Sequence, residues 1–284
     1  APDLVHQKIA THAVSRPSSP AVLSVNGSTL TYKELTDQAR YVQGVLSSLG
    51  IWPNDIVAAI LPDGPASVPV MLGTSGCCAY APINRNVPAS EFVRALGRLR
   101  PKAVFCERSM ADVVSMHGIT PLIVKEIGCG QVEIEGYDRS VALGSMLCPP
   151  DPGQIALILQ TSGTTGEARR VMMSHRMIAH GAWKFGEVYQ FTSRDRSMVV
   201  TPLTHTLGLF TGVIAMLYAG ASAVVAPEFE PSRFVGWWQS TQPTVFSAVS
   251  AIYQSIIEMV QRTGVELYTP RLIRHAACPI SERS

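Results

Sequence analysis

From residue 159 to residue 175 the chain reads Leu-Gln-Thr-Ser-Gly-Thr-Thr-Gly-Glu-Ala-Arg-Arg-Val-Met-Met-Ser-His, its densest run of small, hydroxyl-bearing and cationic residues. That mixture suits an anion, and a phosphate group best. Gly163 and Gly166 permit backbone conformations that turn consecutive N–H groups inward. Thr161, Ser162, Thr164 and Thr165 add hydroxyl donors, and Arg169 and Arg170 add positive charge. The plainer alternative is a flexible Ser/Thr/Gly linker. A linker, however, has no reason to sit between a buried-strand pattern and a helical one.

Residues 155–159 form a short apolar run of the kind that makes a buried strand, and from Ser174 the pattern turns helical. The loop is therefore expected to join a strand end to a helix start, where N–H groups and the helix dipole favour phosphate. It is not a Walker A loop, because neither glycine is followed by Lys and a hydroxyl at the required spacing.

A second candidate is His205, in Thr201-Pro-Leu-Thr-His-Thr-Leu-Gly208, which follows an expected strand at 197–202. A lone histidine is more often a satisfied structural residue than a catalyst. Residues 201–226 contain no acidic side chain, so nothing in that stretch would pair with the ammonium of a free amino acid.

The remaining elements alternate between strand and helix. A hairpin is expected at 21–32 around Asn26-Gly27, with positive φ open to both turn residues. Thr31 and Glu34 have capping-box spacing for a helix that Gly50 ends. Strands at 55–61, 78–84, 103–106 and 122–124 alternate with helices at 66–76 and from residue 90 to just before Pro101. Residues 128–152 read as a surface stretch without periodicity or function. Beyond the loop, helices are expected at 176–189, 207–220, 231–238 and 251–262, and strands at 222–226, 243–249 and from 271. The fold class is α/β.

Of the 284 residues 46% are hydrophobic and 15% charged, enough for about two core-bearing units. A net charge of +2 with no Lys/Arg block argues against nucleic acid as a partner. The longest apolar tracts, 68–81 and 207–226, are interrupted by Gly, Pro or Thr and make no membrane span. The six cysteines show no metal-binding spacing and read mostly as buried thiols. This favours a cytoplasmic or other intracellular reducing compartment.

Thr161-Ser-Gly-Thr-Thr-Gly166, followed by Val171-Met172 and Ser174-His175, resembles the signature loop of the adenylate-forming enzymes. These comprise acyl- and aryl-CoA synthetases, luciferases and peptide-synthetase adenylation domains. The segment 30–35, the Ala-Tyr-Ala-Pro-Ile-Asn84 segment, the Pro-Leu-Thr-His-Thr-Leu-Gly208 segment and residues 271–280 are similar to successive parts of the same family. Where the family continues its loop with Lys-Pro-Lys-Gly, this chain has Glu167-Ala-Arg-Arg170. Arg169 can serve as a phosphate cation in place of the second Lys, whereas Glu167 sets a carboxylate beside an anion site.

The resemblance implies two packed, mainly parallel sheets flanked by helices. Residues 55–185 would form one subdomain with the phosphate loop at its C-terminal end, and 1–54 with 186–284 a second bearing the acyl pocket. It implies ATP with Mg2+, a small carboxylic acid that is aryl or aliphatic, and coenzyme A or the phosphopantetheine of a carrier protein as acceptor. Thr161, Ser162, Gly163, Thr164, Thr165, Gly166 and Arg169 would hold phosphates, and the backbone at Ala276 and Ala277 the adenine. His205 would be catalytic and would line the acid pocket with Val249 and Ser250. The family's later segments are not present in these residues. The expectation is an N-terminal fragment of an AMP-forming ligase, inactive alone and weak in binding ATP. The alternative is a nucleotide-binding or scaffolding module that has lost catalysis.

Overall fold

The structure, a computed structural model, describes residues 2–144, 150–161 and 169–276. Helix α1 (Val5–Ser15) leads into the hairpin of β1 (Pro20–Leu23) and β2 (Thr29–Thr31). The turn differs from the expected two-residue form. Gly27 N–H donates to Ser24 O at 3.1 Å and Ser24 N–H to Ser28 O at 3.0 Å. Gly27 takes φ 85°, while Asn26 keeps a negative φ. The Asn26 Oδ1 instead accepts the Ser28 N–H at 2.9 Å, so a longer turn with a glycine bulge closes the hairpin. The capping box is present at the start of α2 (Tyr32–Ser48): Thr31 Oγ1 accepts the Glu34 N–H and Glu34 Oε2 accepts the Thr31 N–H.

The chain then runs β3 (Ile56–Ile60), α3 (Ser67–Ser75), β4 (Ala79–Pro82), α4 (Ala89–Leu99), β5 (Ala103–Cys106), α5 (Ala111–Met116) and β6 (Thr120–Gly128). The strands of these βα units pair in parallel. The stretch expected to lack structure after residue 128 instead holds β7 (Gln131–Ile134), antiparallel to β6, and a 3-10 segment at Arg139–Gly144. Val132 and Ile134 are buried between polar neighbours, and Gly130 at φ 64° makes the turn. Next come β8 (Ile155–Thr161), parallel to β4, and β9 (Arg169–Ser174), antiparallel to β8, which complete the order β7-β6-β5-β3-β4-β8-β9.

The expected strand-to-helix junction is therefore overturned. Residues 162–168 connect two antiparallel strands, with Thr161 opposite Arg169 and Ile155 opposite Ser174. Helix α6 (His175–Tyr189) starts at the far end of β9, where the Ser174 hydroxyl accepts the Met177 N–H. Arg169 and Ser174, at opposite ends of β9, are five residue steps apart, on the order of 17 Å of strand. The dipole of this helix is thus not aimed at the loop.

The second sheet has the order β13-β12-β10-β11-β1-β2. It is built from β10 (Arg196–Val199), then wide π-type turns at Leu207–Ile214 continuing as α7 (Ala215–Ala219). There follow β11 (Ser222–Val225), α8 (Pro231–Thr241), β12 (Val245–Val249), α9 (Ser250–Thr263) and β13 (Leu272–Ala276). A regular helix was expected over 207–220; its first half is π-helical instead. The opening hairpin joins this sheet, Val22 pairing with Ala223 in parallel.

One contiguous apolar core lies between the sheets and includes Leu35, Phe105, Leu157, Leu209 and Leu217. Burying one such side chain contributes roughly 2 kcal/mol. Tyr32, fully buried, donates its hydroxyl to Ala221 O at 2.7 Å and so ties α2 to the second sheet. The outer faces are covered by α4 and α5 on the first sheet and by α8 and α9 on the second. Among the described residues no helix is long and apolar enough to cross a membrane.

Candidate functional site

Parallel strands end together, and in α/β sheets ligands settle outside those C-terminal ends. Here the ends of both sheets face a shared cleft of about 510 Å³. Leu61, Pro62 and Asp63 reach it from β3, and Asn84, Arg85 and Asn86 from β4. Val200, Pro202 and Thr204 follow β10, Pro227, Glu228 and Phe229 follow β11, and Ile252 lies in the first turn of α9. In the second sheet β10 stands between β11 and β12, so the chain leaves β10 toward one side and returns on the other. That reversal is the switch point at which such crevices open.

The cleft is apolar along Leu61, Val200, Phe229 and Ile252 and polar where the sheets meet. Asp63 spans the junction: its Oδ1 accepts the Leu203 N–H at 2.9 Å. Burial raises the carboxyl above its ordinary range, opposed by the Leu203 N–H and by His205 and Arg85 nearby. Arg85 pairs with Glu107 at 3.2 Å. The hydroxyls of Thr201 and Thr204 are buried and have no hydrogen-bond partner among the described residues, and Thr204 lines the cleft.

Of the residues expected from sequence, His205 stands exposed on the same loop, one residue beyond Thr204 but outside the cleft lining. Its N–H donates to Pro202 O at 3.0 Å and its carbonyl accepts the Leu209 N–H, so its backbone is held by the turn into the π segment. Val249 and Ala276 are register partners at the ends of β12 and β13. Ser250 Oγ lies 2.7 Å from His275 Nε2. These residues come together at one sheet end, beside the cleft and not in its lining.

Thr161 and Arg169 pair across the ends of β8 and β9. Because β8 runs parallel to β4, that pair lies at the same end of the sheet as Asn84. Ser162, Gly163, Thr164, Thr165, Gly166 and Ala277 lie outside the described residues, as do Cys148 and Cys278. The described cysteines, Cys77, Cys78, Cys106 and Cys129, are free thiols, buried or half-buried. Burial pushes Cys77, Cys106 and Cys129 up to about 11. They are protonated and unreactive at neutral pH.

Asp63, Arg85 and Thr204 were not singled out in the sequence. Asp63 sits in Leu-Pro-Asp-Gly, which reads as a turn, and its partner Leu203 is 140 residues away.

The model of the AMP-binding enzyme family matches residues 9–279. The chain belongs to that family. It is 27% identical over 276 residues to a 3-[(3aS,4S,7aS)-7a-methyl-1,5-dioxo-octahydro-1H-inden-4-yl]propanoyl:CoA ligase of Rhodococcus jostii (strain RHA1), covering 89% of this chain and 54% of that one. It is 27% identical over 309 residues to the acyl-CoA synthetase FUM10 of Gibberella moniliformis, covering 98% and 55%. The chain thus spans about half the length of these curated relatives. Among solved structures it resembles ATP-bound MatB from Rhodopseudomonas palustris, at TM-score 0.80 and 24% identity over 98% of this chain and 56% of that one. It also resembles a fatty acyl-adenylate ligase from L. pneumophila, at TM-score 0.86 and 18% identity over 98% and 50%. These structural likenesses establish the fold: two mainly parallel sheets flanked by helices.

Proposed function

We propose that the whole protein is an ATP-dependent ligase that activates a carboxylic acid, aryl or aliphatic, as its acyl-adenylate for transfer to the thiol of coenzyme A or a carrier protein. The observation that carries this reading is the Thr161–Arg169 pair, which sets the two ends of the hydroxyl- and glycine-rich loop at the sheet end that also opens into the cleft. In this reading 55–185 act as a phosphate-binding subdomain and 1–54 with 186–284 as an acid-binding one. The division is supported by the segregation of their strands into separate sheets.

The substrate carboxylate oxygen attacks the α-phosphorus of ATP, the bond to the bridging oxygen breaks, and pyrophosphate leaves. Thr161 to Gly166 and Arg169 would hold the departing phosphates, lowering the barrier by stabilising charge that develops there. His205, with Val249 and Ser250, would orient the acid, and the backbone at Ala276 and Ala277 would meet the adenine. A thiol then attacks the acyl carbon and releases AMP. Mg2+ would arrive on the nucleotide: no trio of His, Cys, Asp or Glu gathers among the described residues, and no step is assigned to a metal held by the protein. A free amino acid is disfavoured because residues 201–226, which carry His205, contain no acidic side chain to pair with its ammonium.

The rival reading, a nucleotide-binding or scaffolding module without catalysis, draws on Arg170. Its Nη1 donates to Arg98 O at 3.2 Å, so this cation is turned toward the end of α4. Acid-dependent exchange of labelled pyrophosphate into ATP by the whole protein decides between the two. Exchange with some member of a panel of acids, weakened in Arg169→Ala and His205→Ala, is expected. No exchange with any acid, but calorimetric Mg-ATP binding sensitive to Arg169→Ala, would favour the rival.

A further inference from the structure

Strand β12 passes directly into α9, and the residue at the junction is Ser250. Ala248 of β12 is the register partner of His275 in β13. Side chains alternate along a strand, so two residues beyond Ala248 the chain returns to the face that carries His275. There Ser250 Oγ lies 2.7 Å from His275 Nε2.

The surroundings of this pair suit a nucleophile and its base. In the tautomer with its proton on Nδ1, His275 accepts the Ser250 O–H at Nε2 and can take that proton as the oxygen attacks. Hydrolytic serines on α/β sheets sit at such strand-to-helix turns, where the N–H of the next residue receives the oxyanion. Here α9 begins without a side-chain cap, so the N–H groups of its first turn, Ala251 among them, have no partner within the helix. Ala251 is exposed, and Ser250 and His275 are half-buried.

Tyr253, one turn beyond the serine, holds the base in place. Its hydroxyl donates to Arg274 O at 3.0 Å, immediately before His275, and its ring stands 6.1 Å from the imidazole between centroids. Among the described residues no carboxylate is hydrogen-bonded to His275. The pair is thus a dyad, and its turnover should be slow beside that of a triad.

We propose that Ser250 and His275 hydrolyse small activated carboxylic esters through an acyl-serine. Ser250 Oγ attacks the ester carbonyl carbon while His275 Nε2 takes its proton. The bond from that carbon to the leaving oxygen breaks, and the leaving group departs with the proton from His275. Water then adds to the acyl carbon and gives a proton to Nε2; Ser250 Oγ leaves with that proton, and the free acid is released. The activity goes beyond the ligase reading, because it needs neither ATP nor an acceptor thiol.

The test is hydrolysis of 4-nitrophenyl acetate by the 284-residue chain at neutral pH without ATP. Release of 4-nitrophenolate is expected, with the acetyl group found on Ser250 by peptide mass spectrometry after an acid quench. Ser250→Ala should abolish both. His275→Gln, which keeps a hydrogen-bonding group but cannot take up the proton, should slow acylation by about 100-fold, the lower range for losing a general base. No acetyl on Ser250 in the wild-type chain overturns the dyad whether or not the variants fold. Hydrolysis undiminished in Ser250→Ala, or acylation as fast in His275→Gln as in wild type, overturns it equally. Loss of pyrophosphate exchange with acetylation of Ser250 intact would sink only the ligase reading, and the converse only the dyad.

Discussion

The Oδ1 of Asp63, just past the end of β3 in one sheet, accepts the backbone N–H of Leu203, just past the end of β10 in the other, at 2.9 Å. This bond fixes the two rims of the cleft relative to each other. It also binds the loop that carries Thr204 and His205 to the first sheet. The carboxylate is desolvated at that position, which raises its pKa. Asp63 thus trades some stability for a defined cleft.

Asp63→Ala and Asp63→Asn should therefore separate. Alanine leaves the Leu203 N–H without its acceptor, at a cost of about 1–3 kcal/mol. Asparagine keeps an oxygen there and removes the penalty of burying charge. Because the folded pKa lies above the ordinary carboxylate value of 3.8, ionisation opposes folding once pH exceeds that range. At pH 7 Asp63→Asn should match or exceed wild type in stability, and the gap should close below pH 4. Urea midpoints at both pH values measure this.

A second pH dependence comes from His175, 3% exposed, whose pKa burial and the neighbouring His6 push down to about 4. The Ser75 backbone and Asp151 oppose this only in part. Folded His175 stays neutral while the unfolded chain takes up a proton near 6.5, so stability is complete above that value and is lost as pH falls toward 4. The shift corresponds to about 3 kcal/mol. His175→Phe keeps a ring against His6 and should flatten much of the decline in urea stability between pH 6.5 and 4. An unchanged decline would assign it elsewhere.

Much of this architecture is legible in the chain because local chemistry and global fold agree. The strand at 103–106 is read to the residue from four apolar side chains between Pro101 and Glu107, and the Thr31–Glu34 box fixes the start of α2. Strand β9 is invisible for a physical reason: it is an edge strand, and Arg169, Arg170, Val171 and Met172 are all exposed, so no burial period is written into it. Its existence depends on pairing with β8. The π turns at Leu207–Ile214 are hidden by the opposite circumstance, a segment so uniformly apolar that no period stands out. The site divides in the same way. Its loop shows as a motif, whereas the cleft is assembled from short segments after four strands and one residue at the start of α9, whose proximity only the topology creates.

The N-terminal edge of the second sheet is held by Asp195, 4% exposed. Its Oδ1 accepts from Arg271 Nε and Thr244 Oγ1, both at 2.9 Å, and its Oδ2 from the Thr192 N–H at 2.8 Å. Burial works to raise its pKa, but these donors hold it below the usual carboxylate range. Asp195→Ala, which strands several donors, should cost about 3 kcal/mol. Arg271→Ala should cost only about 1 kcal/mol, since the guanidinium is half exposed and Asp195 keeps its neutral donors. The stability Asp195 confers is present above pH 3.8 and is lost as pH falls through its lower folded value. Denaturant titrations of both variants at pH 7 and pH 3 test the order and the sign.

Helices α2 and α3 approach so closely because Gly73 has no side chain. A Cβ there would lie 2.5 Å from the Val42 Cβ and 2.7 Å from the Ala39 carbonyl oxygen. The oxygen belongs to the backbone of α2 and cannot turn aside, so accommodation requires the helices to separate. Gly73→Ala is expected to destabilise by about 1–3 kcal/mol, the range for overpacking a filled interior. Gly97 provides the opposite sign: it lies inside α4, and a Cβ added there meets nothing within 4 Å. Gly97→Ala should stabilise by about 0.5–1 kcal/mol, because the unfolded chain loses backbone freedom and nothing in the folded state moves. Urea midpoints of the two variants should shift in opposite directions. A Gly73→Ala protein as stable as wild type would mean that α2 and α3 pack less closely than the fold requires.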